Sequence, residues 1–166
     1  MPVTPFHFGA GLAAKGAAPQ RFGFFAFCAA NVFMDLEPLY YMLARQFPLH
    51  RFFHTFVGSA LIGLLTVLLF SSLGWVDQKL RLNLNRLKGE FHAPAVWWGA
   101  LSGAFSHVLL DSLVHADVHP FAPFIQINPF VGFLSPYFVE NLLIFMGFLG
   151  LVLLGLRFIL RSRSIW

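Results

Sequence analysis

The chain has 166 residues, of which 58% are hydrophobic and only 11% charged, and its mean hydropathy is +0.72. Soluble domains carry about 25% charged residues, so this composition excludes an ordinary soluble domain and predicts one integral membrane domain over residues 1–166. The formal net charge of +4 comes from basic residues beside apolar segments, which argues against nucleic acid binding. A single cysteine, Cys28, excludes an intrachain disulfide and a cysteine-based zinc site.

The N-terminal part of the chain predicts a helical hairpin. Residues 4–17 are typical of a short helix, in which Thr4 suits the N-cap and Pro5 the first turn. A second apolar segment, residues 21–45, contains Pro38, which predicts a kink or a boundary. We expect the two segments to pack antiparallel.

Three later segments are long enough to cross a bilayer, since about 20 apolar residues suffice. They are residues 50–75, 94–115 and 136–160, separated by a basic segment (76–93) and by a Pro- and Phe-rich loop (116–135). The predicted fold class is therefore all-α, a polytopic membrane bundle of about four spans plus the short N-terminal helix. The basic segment and the basic C-terminus are expected on the cytoplasmic side, so the opposite ends of the helices face outward.

Polar residues recur at helical spacing inside these apolar segments. His50 and His54 are separated by four positions, and His107, Asp111 and His115 continue that spacing over two turns. An aspartate in an apolar helix costs about 2.5–3.5 kcal/mol even on lenient insertion scales. A chain that places several such residues together is expected to bind a cation, and a metal ion is the first candidate.

The predicted hairpin adds further ligands at the outward end. With about 14 residues at 1.5 Å each, it brings His7 and Asp35 to the same end, where the loop histidine His119 also lies. Imidazoles beside oxygen ligands suit Zn²⁺, with Mn²⁺ or Fe²⁺ as alternatives. Including Glu37 and Glu140, there are more candidate ligands than one ion takes, so we predict two or three ions. Two ions about 3.5–4 Å apart suit a phosphoryl displacement.

Four motifs resemble those of a known family: PFHFGAG near the start, MDLEP at 34–38, HRFFHT at 50–55 and SHVLLDS at 106–112. Over residues 2 to 124 the chain is similar to the YdjM-type family of membrane-bound metal-dependent hydrolases. That family is distantly similar to zinc-dependent phospholipase C and P1-type nucleases, which are all-helical enzymes with a trinuclear zinc centre. The resemblance implies these metal ligands: His7, Asp35, His50, His54, His107 and Asp111.

The remaining candidate residues have less specific signals. Glu37 stands at the second acid of the family's acidic pair and is interpreted as an unbound carboxylate that serves as general base. Arg51 is either an interfacial anchor or a phosphate clamp, since guanidinium binds phosphate through a planar fork. The phospholipase relatives carry one more histidine, and the spacing does not choose between His115 and His119. Glu140 corresponds weakly to their late acidic ligand.

The sequence thus predicts a metal-dependent hydrolase of the bacterial inner membrane, with its site near the periplasmic face. Hydrolysis of a peptide bond or of another ester is chemically open, and the family resemblance implies a phosphoesterase-like activity. Metal-activated water would cleave a phosphoester of a lipid or lipid-linked substrate. Two alternatives belong to other classes. A metal or proton transporter would use the same residues, although the inner halves of 50–75 and 94–115 are almost purely apolar. A membrane adaptor with a structural metal would have a closed coordination sphere.

Overall fold

The computed structural model of the protein describes residues 4–80 and 89–163, and the chain is all-helical in these two ranges. Its helices are α1 (Thr4–Ala17), α2 (Phe24–Leu43), α3 (Phe56–Leu80), α4 (Ala93–Val114) and α5 (Pro136–Arg163). Neither described range contains a strand, which confirms the predicted all-α class. The centre of the predicted basic loop, residues 81–88, lies outside the described residues.

Two helices are long and apolar enough to cross a membrane. They are α3, with a hydropathy of 2.2, and residues Pro136–Arg161 of α5, with a hydropathy of 2.5. The prediction of about four spans is wrong, because α2 and α4 do not qualify within the described residues. Asp35 and Glu37 lower the hydropathy of α2, and His107 and Asp111 lower that of α4.

The helix α1 packs most extensively against α5, and glycines make the close approach possible. A Cβ added at Gly9 would lie 1.9 Å from the backbone oxygen of Leu143, and one at Gly150 would lie 2.3 Å from that of Leu12. Small residues at a helix interface let the backbones come this near. This packing fixes the position of His7, which α1 carries at its first turns.

The core between α2, α3 and α4 lies next to the polar residues of α2 and α4. Met34 immediately precedes Asp35, and Val108 immediately follows His107, and both apolar side chains are fully buried. They pack in one cluster with Ala30, Ile62 and Ala104. Apolar packing on this scale holds the helix faces that carry the site in a fixed orientation.

A buried ion pair ties the opposite end of the hairpin to the turn before α4. The ammonium group of Lys15 contacts a carboxylate oxygen of Glu90 and donates to the backbone oxygen of Phe22 at 2.8 Å. The other Glu90 oxygen accepts the Phe25 amide at 2.9 Å. Both ionic side chains are largely buried. The pair lies at the end of the bundle opposite to the end that carries His7.

The third helix begins later than predicted. Instead of starting at His50 it starts at Phe56, and both His50 and His54 lie in the preceding turn. Thr55 caps the helix, because its hydroxyl accepts the amide of Gly58 at 2.9 Å. The prediction that His50 and His54 project from one helix face is therefore wrong, although the turn still brings their rings to 4.6 Å between centroids.

Candidate metal centre

Side chains from α1, α2, α4 and the turn before α3 meet around the carboxylate of Asp111. The Nε2 atom of His107 lies 3.3 Å from Asp111 Oδ2 and 3.2 Å from Asp35 Oδ1. His54 Nε2 lies 3.6 Å from Asp111 Oδ2, and His7 Nε2 lies 3.3 Å from Asp111 Oδ1. All three histidines are fully buried. The structure thus brings these predicted ligands close together, although His7 contacts Asp111 without belonging to either candidate metal-binding group.

The ligand atoms form two groups that share Asp111. Within each group the atoms lie no more than 4.8 Å apart; the members are Asp35, His54, His107 and Asp111 in the first, and His50, Asp111 and His115 in the second. Zn²⁺ with bonds of about 2.0–2.1 Å in a tetrahedron has ligand atoms about 3.3 Å apart. The contacts of 3.2 and 3.3 Å around His107 match that spacing.

Several atoms in this pocket are buried without a hydrogen-bond partner. They are both ring nitrogens of His7, Nε2 of His54 and His107, and Oδ1 of Asp111. The three Nε2 atoms lie 3.2 to 3.6 Å from carboxylate oxygens, but without the geometry of a hydrogen bond. An unpaired buried polar atom costs about 1–3 kcal/mol. A cation bound by Asp35, His54, His107 and Asp111 would pair the Nε2 atoms of His54 and His107, so this donor set fits a metal ion.

Three of the imidazoles are held at the ring nitrogen that faces away from Asp111. The partners of Nδ1 are Asp117 for His50 at 3.0 Å, Glu37 for His54 at 3.3 Å and Asn31 for His107 at 3.0 Å. When Nδ1 donates in this way, the Nε2 lone pair is left facing the pocket. Histidines that bind metals are almost always oriented by such a partner.

Glu37, which the sequence suggests as a general base, accepts several hydrogen bonds in the structure. Besides the ring of His54, it accepts the backbone amide of Arg51 at 3.1 Å and that of Phe53 at 3.0 Å. These bonds hold the turn that carries His54, because one carboxylate fixes both the ring and the main chain next to it. Glu37 is thus placed as a positioning residue, and a role as general base stays a prediction.

The sequence analysis missed two positioning residues, Asn31 and Asp117. Asp117 accepts the amides of Leu49 at 3.1 Å and His50 at 3.3 Å in addition to the His50 ring. Burial raises the pKa of the Asp117 carboxyl, but His50 and these amides lower it more, so the pKa lies below its usual range. A signal for both residues exists, since each is a polar side chain within an apolar segment.

Burial also acts on two histidines outside the helices, His54 and His115. It lowers the pKa of His54, and the hydrogen bond to Glu37 and the charge of Asp111 offset this only in part. Burial lowers the pKa of His115 in the same way, and the charge of Asp111 opposes it. A neutral imidazole is the form that binds metal, so both rings are in the required state at neutral pH.

The structure distinguishes the three additional candidates. The ring of His115 lies beside that of His50, tilted by 30° and with 4.7 Å between ring centroids, and His115 belongs to the second ligand group. His119 and Glu140 belong to neither group among the described residues. The helix α4 ends at Val114, so His115 is placed by the turn after the helix rather than by the predicted helical spacing.

Arg51 lies at the edge of the centre and is held by two contacts. Its guanidinium carbon lies 3.6 Å from the centre of the Tyr41 ring. Its Nε donates to the backbone oxygen of Pro48 at 3.1 Å. The side chain is therefore fixed in place beside the turn that carries His50 and His54. Within the described residues, the two terminal nitrogens of the guanidinium have no partner.

Comparisons with protein families, curated proteins and solved structures give no match to this chain. The resemblance to the YdjM-type family therefore stays a prediction.

Proposed function

We propose that the protein is a membrane-bound metal-dependent hydrolase of the YdjM type that cleaves a phosphoester of a lipid or lipid-linked substrate. One observation carries the proposal: three histidines, each held at Nδ1 by its own acceptor, direct Nε2 to one shared carboxylate, Asp111. Neither apolar packing nor hydrogen bonding within the protein accounts for this arrangement, since two of these Nε2 atoms, those of His54 and His107, are buried without a hydrogen-bond partner.

The proposed centre holds two divalent ions, with Zn²⁺ as the preferred metal and Mn²⁺ or Fe²⁺ as alternatives. Asp111 belongs to both ligand groups, so its carboxylate would help to hold both ions. The total charge is also balanced. The four positive charges of two divalent ions equal the four negative charges of the carboxylates that contact the imidazoles, namely Asp35, Glu37, Asp111 and Asp117. Such ions supply a Lewis acid and activate water at neutral pH.

Access to the centre favours catalysis over a purely structural metal. The side chain of Asp35 is 30% exposed, and His115 is partly exposed, whereas the other ligands are buried. A structural site is closed by protein ligands, whereas a catalytic site keeps a position for water or substrate. An opening on one side of a buried ligand set is the arrangement that hydrolysis needs.

The proposed location is the bacterial inner membrane, with the centre near the periplasmic face. Only 17% of the most apolar part of α5 is buried within the protein. Lipid would therefore cover the rest of this apolar surface. The centre lies where α3 begins and α4 ends. The basic residues Lys79, Arg157 and Arg161 lie towards the opposite helix ends, which supports a cytoplasmic position for those ends.

Metal analysis of the purified protein tests the proposal. We expect about two divalent ions per chain in the wild type and loss of metal in His54→Ala and Asp111→Ala. His92→Ala is the matched control, since His92 is exposed at the start of α4, away from the centre. Retention of the full metal content in both site variants would contradict the proposal.

An activity assay separates the hydrolase from the adaptor. We expect the metal-loaded protein to release phosphate from dioctanoyl phosphatidic acid or a related lipid phosphoester, and chelation to abolish the release. Readdition of Zn²⁺ would restore it in the wild type but not in Asp111→Ala. A metal-loaded protein without activity on any phosphoester tested would support the adaptor instead.

A further inference from the structure

Two grooves reach the metal centre from outside, and they share His50. The larger, of about 670 Å³, passes His115 and Asp117. The smaller, of about 340 Å³, runs between the turn before α3 and the loop after α4. We call it the Arg51 groove; its polar lining consists of His50, Arg51, Thr55, His119 and Gln126, between apolar walls that include Phe52 and Pro123.

Arg51 is arranged in this groove to bind an anion. Its contacts with Tyr41 and with the Pro48 oxygen use the face of the guanidinium and its Nε. The two terminal nitrogens have no protein partner among the described residues. A guanidinium held in one orientation loses little entropy when it binds, and its fork matches two oxygens of a phosphate.

His119 supplies a second, independent sign of a ligand. Its Nδ1 atom is buried and has no hydrogen-bond partner, and the residue lines the same groove. Since an unpaired buried nitrogen is costly, a ligand oxygen beside it would be stabilising. His119 is also outside both metal-ligand groups, so it is available for this contact.

We propose that the Arg51 groove binds the phosphate group of an amphiphilic substrate, with Arg51 and His119 as its ligands. This inference rests on the proposed hydrolase function and names the recognition site for its substrate. The groove leads to His50, so a phosphate held there lies next to the ions. The hydrocarbon part would lie on the apolar walls, which include the ring of Phe52, a residue that is 49% exposed.

Binding measurements on the metal-loaded protein test the groove, with inorganic phosphate and dioctanoyl phosphatidic acid as probes. We expect Arg51→Gln to weaken binding of both probes by about 10- to 100-fold, the effect of losing hydrogen bonds to a charged group. Arg45→Gln is the matched control, because Arg45 is an exposed arginine of the same segment that does not line the groove. Unchanged binding in Arg51→Gln would overturn the proposal.

The two probes separate a lipid phosphate from a free phosphate. If the apolar walls take part, phosphatidic acid binds at least about tenfold tighter than inorganic phosphate, as expected when several methylene groups leave water. Equal affinities would overturn the lipid part of the inference. In Phe52→Ser the preference for the lipid is expected to shrink while binding of inorganic phosphate is kept.

Since Arg51 also packs on Tyr41, a second variant guards against misfolding. We expect His119→Leu to weaken phosphate binding while its metal content stays at the wild-type value. Loss of metal in that variant would instead make His119 a ligand and overturn its assignment to the groove. Metal content is measured on every sample, which distinguishes failure of the groove from failure of the hydrolase proposal. If the protein binds phosphate but contains no metal, the proposed hydrolase is contradicted and the phosphate site in the groove is retained.

Discussion

Asp117 lies 3.0 Å from Nδ1 of His50 and also accepts the backbone amide of the same residue at 3.3 Å. One carboxylate therefore sets both the main chain and the ring of His50. A side chain that positions a metal ligand in this way influences the metal without touching it. The relationship gives the first prediction.

We expect Asp117→Ala to weaken metal binding by about 10- to 100-fold, as for other residues that orient metal-binding histidines. The second ligand group, which contains His50, should lose its ion to the chelator more readily than the first group. Competition with a chelator of known affinity measures the change. Glu140→Ala is the control, because Glu140 belongs to neither ligand group, and an equal effect of both substitutions would contradict the positioning role.

Asn31 orients His107 in the same way, through its side-chain oxygen at 3.0 Å from Nδ1. Asn31→Leu removes this acceptor and leaves a buried nitrogen unpaired. We expect the metal-free protein to lose about 1–3 kcal/mol of stability and metal binding to weaken as well. Thermal unfolding in detergent measures the first effect, and Asn141→Leu, at an exposed position of α5, should change neither.

Chelation should lower the unfolding temperature of the wild-type protein. An ion that binds only the folded chain adds about 2.7 kcal/mol of stability when its concentration is 100 times the dissociation constant. In Asp111→Asn the shift should disappear, because both ligand groups contain Asp111. A chelator that lowers the unfolding temperature of both proteins equally would argue against ions at this centre.

The contact between α1 and α5 should depend on Gly9. Gly9→Ala places a Cβ 1.9 Å from the backbone oxygen of Leu143, which cannot move aside like a flexible side chain. We expect a loss of about 1–3 kcal/mol of stability, as for other overpacked positions. Gly155→Ala is the matched control, since a Cβ there meets nothing within 4 Å and the change raises helix propensity. If Gly9→Ala unfolds at the wild-type temperature, the close packing described for α1 is wrong.

The sequence predicted the helices well where local signals are strong. Residues 4–17 form α1 at the predicted boundaries, and the hairpin brings His7 and Asp35 to one end as its length required. The spacing of His107 and Asp111 also holds, because both lie inside α4. These features follow from the periodicity of the residues and from helix geometry, so a short segment of sequence is enough to predict them.

Contacts between distant segments could not be predicted in the same way. Glu37 holds the backbone of the turn before α3, so the helix starts at Phe56 and not at His50. Asp117 lies 67 positions from the histidine that it orients. Because α4 ends at Val114, His115 is directed towards His50. The residue spacing alone did not choose between His115 and His119 as a ligand. Each of these depends on tertiary packing.

The position of His7 has a consequence for how the protein matures. This residue links the N-terminal helix to Asp111, while the remainder of that helix rests on α5. Ions taken up beneath it would oppose its departure from the bundle, since ligand binding and folding share one free energy. Susceptibility of residues 4–17 to limited proteolysis would then report on whether a newly inserted chain has acquired its ions.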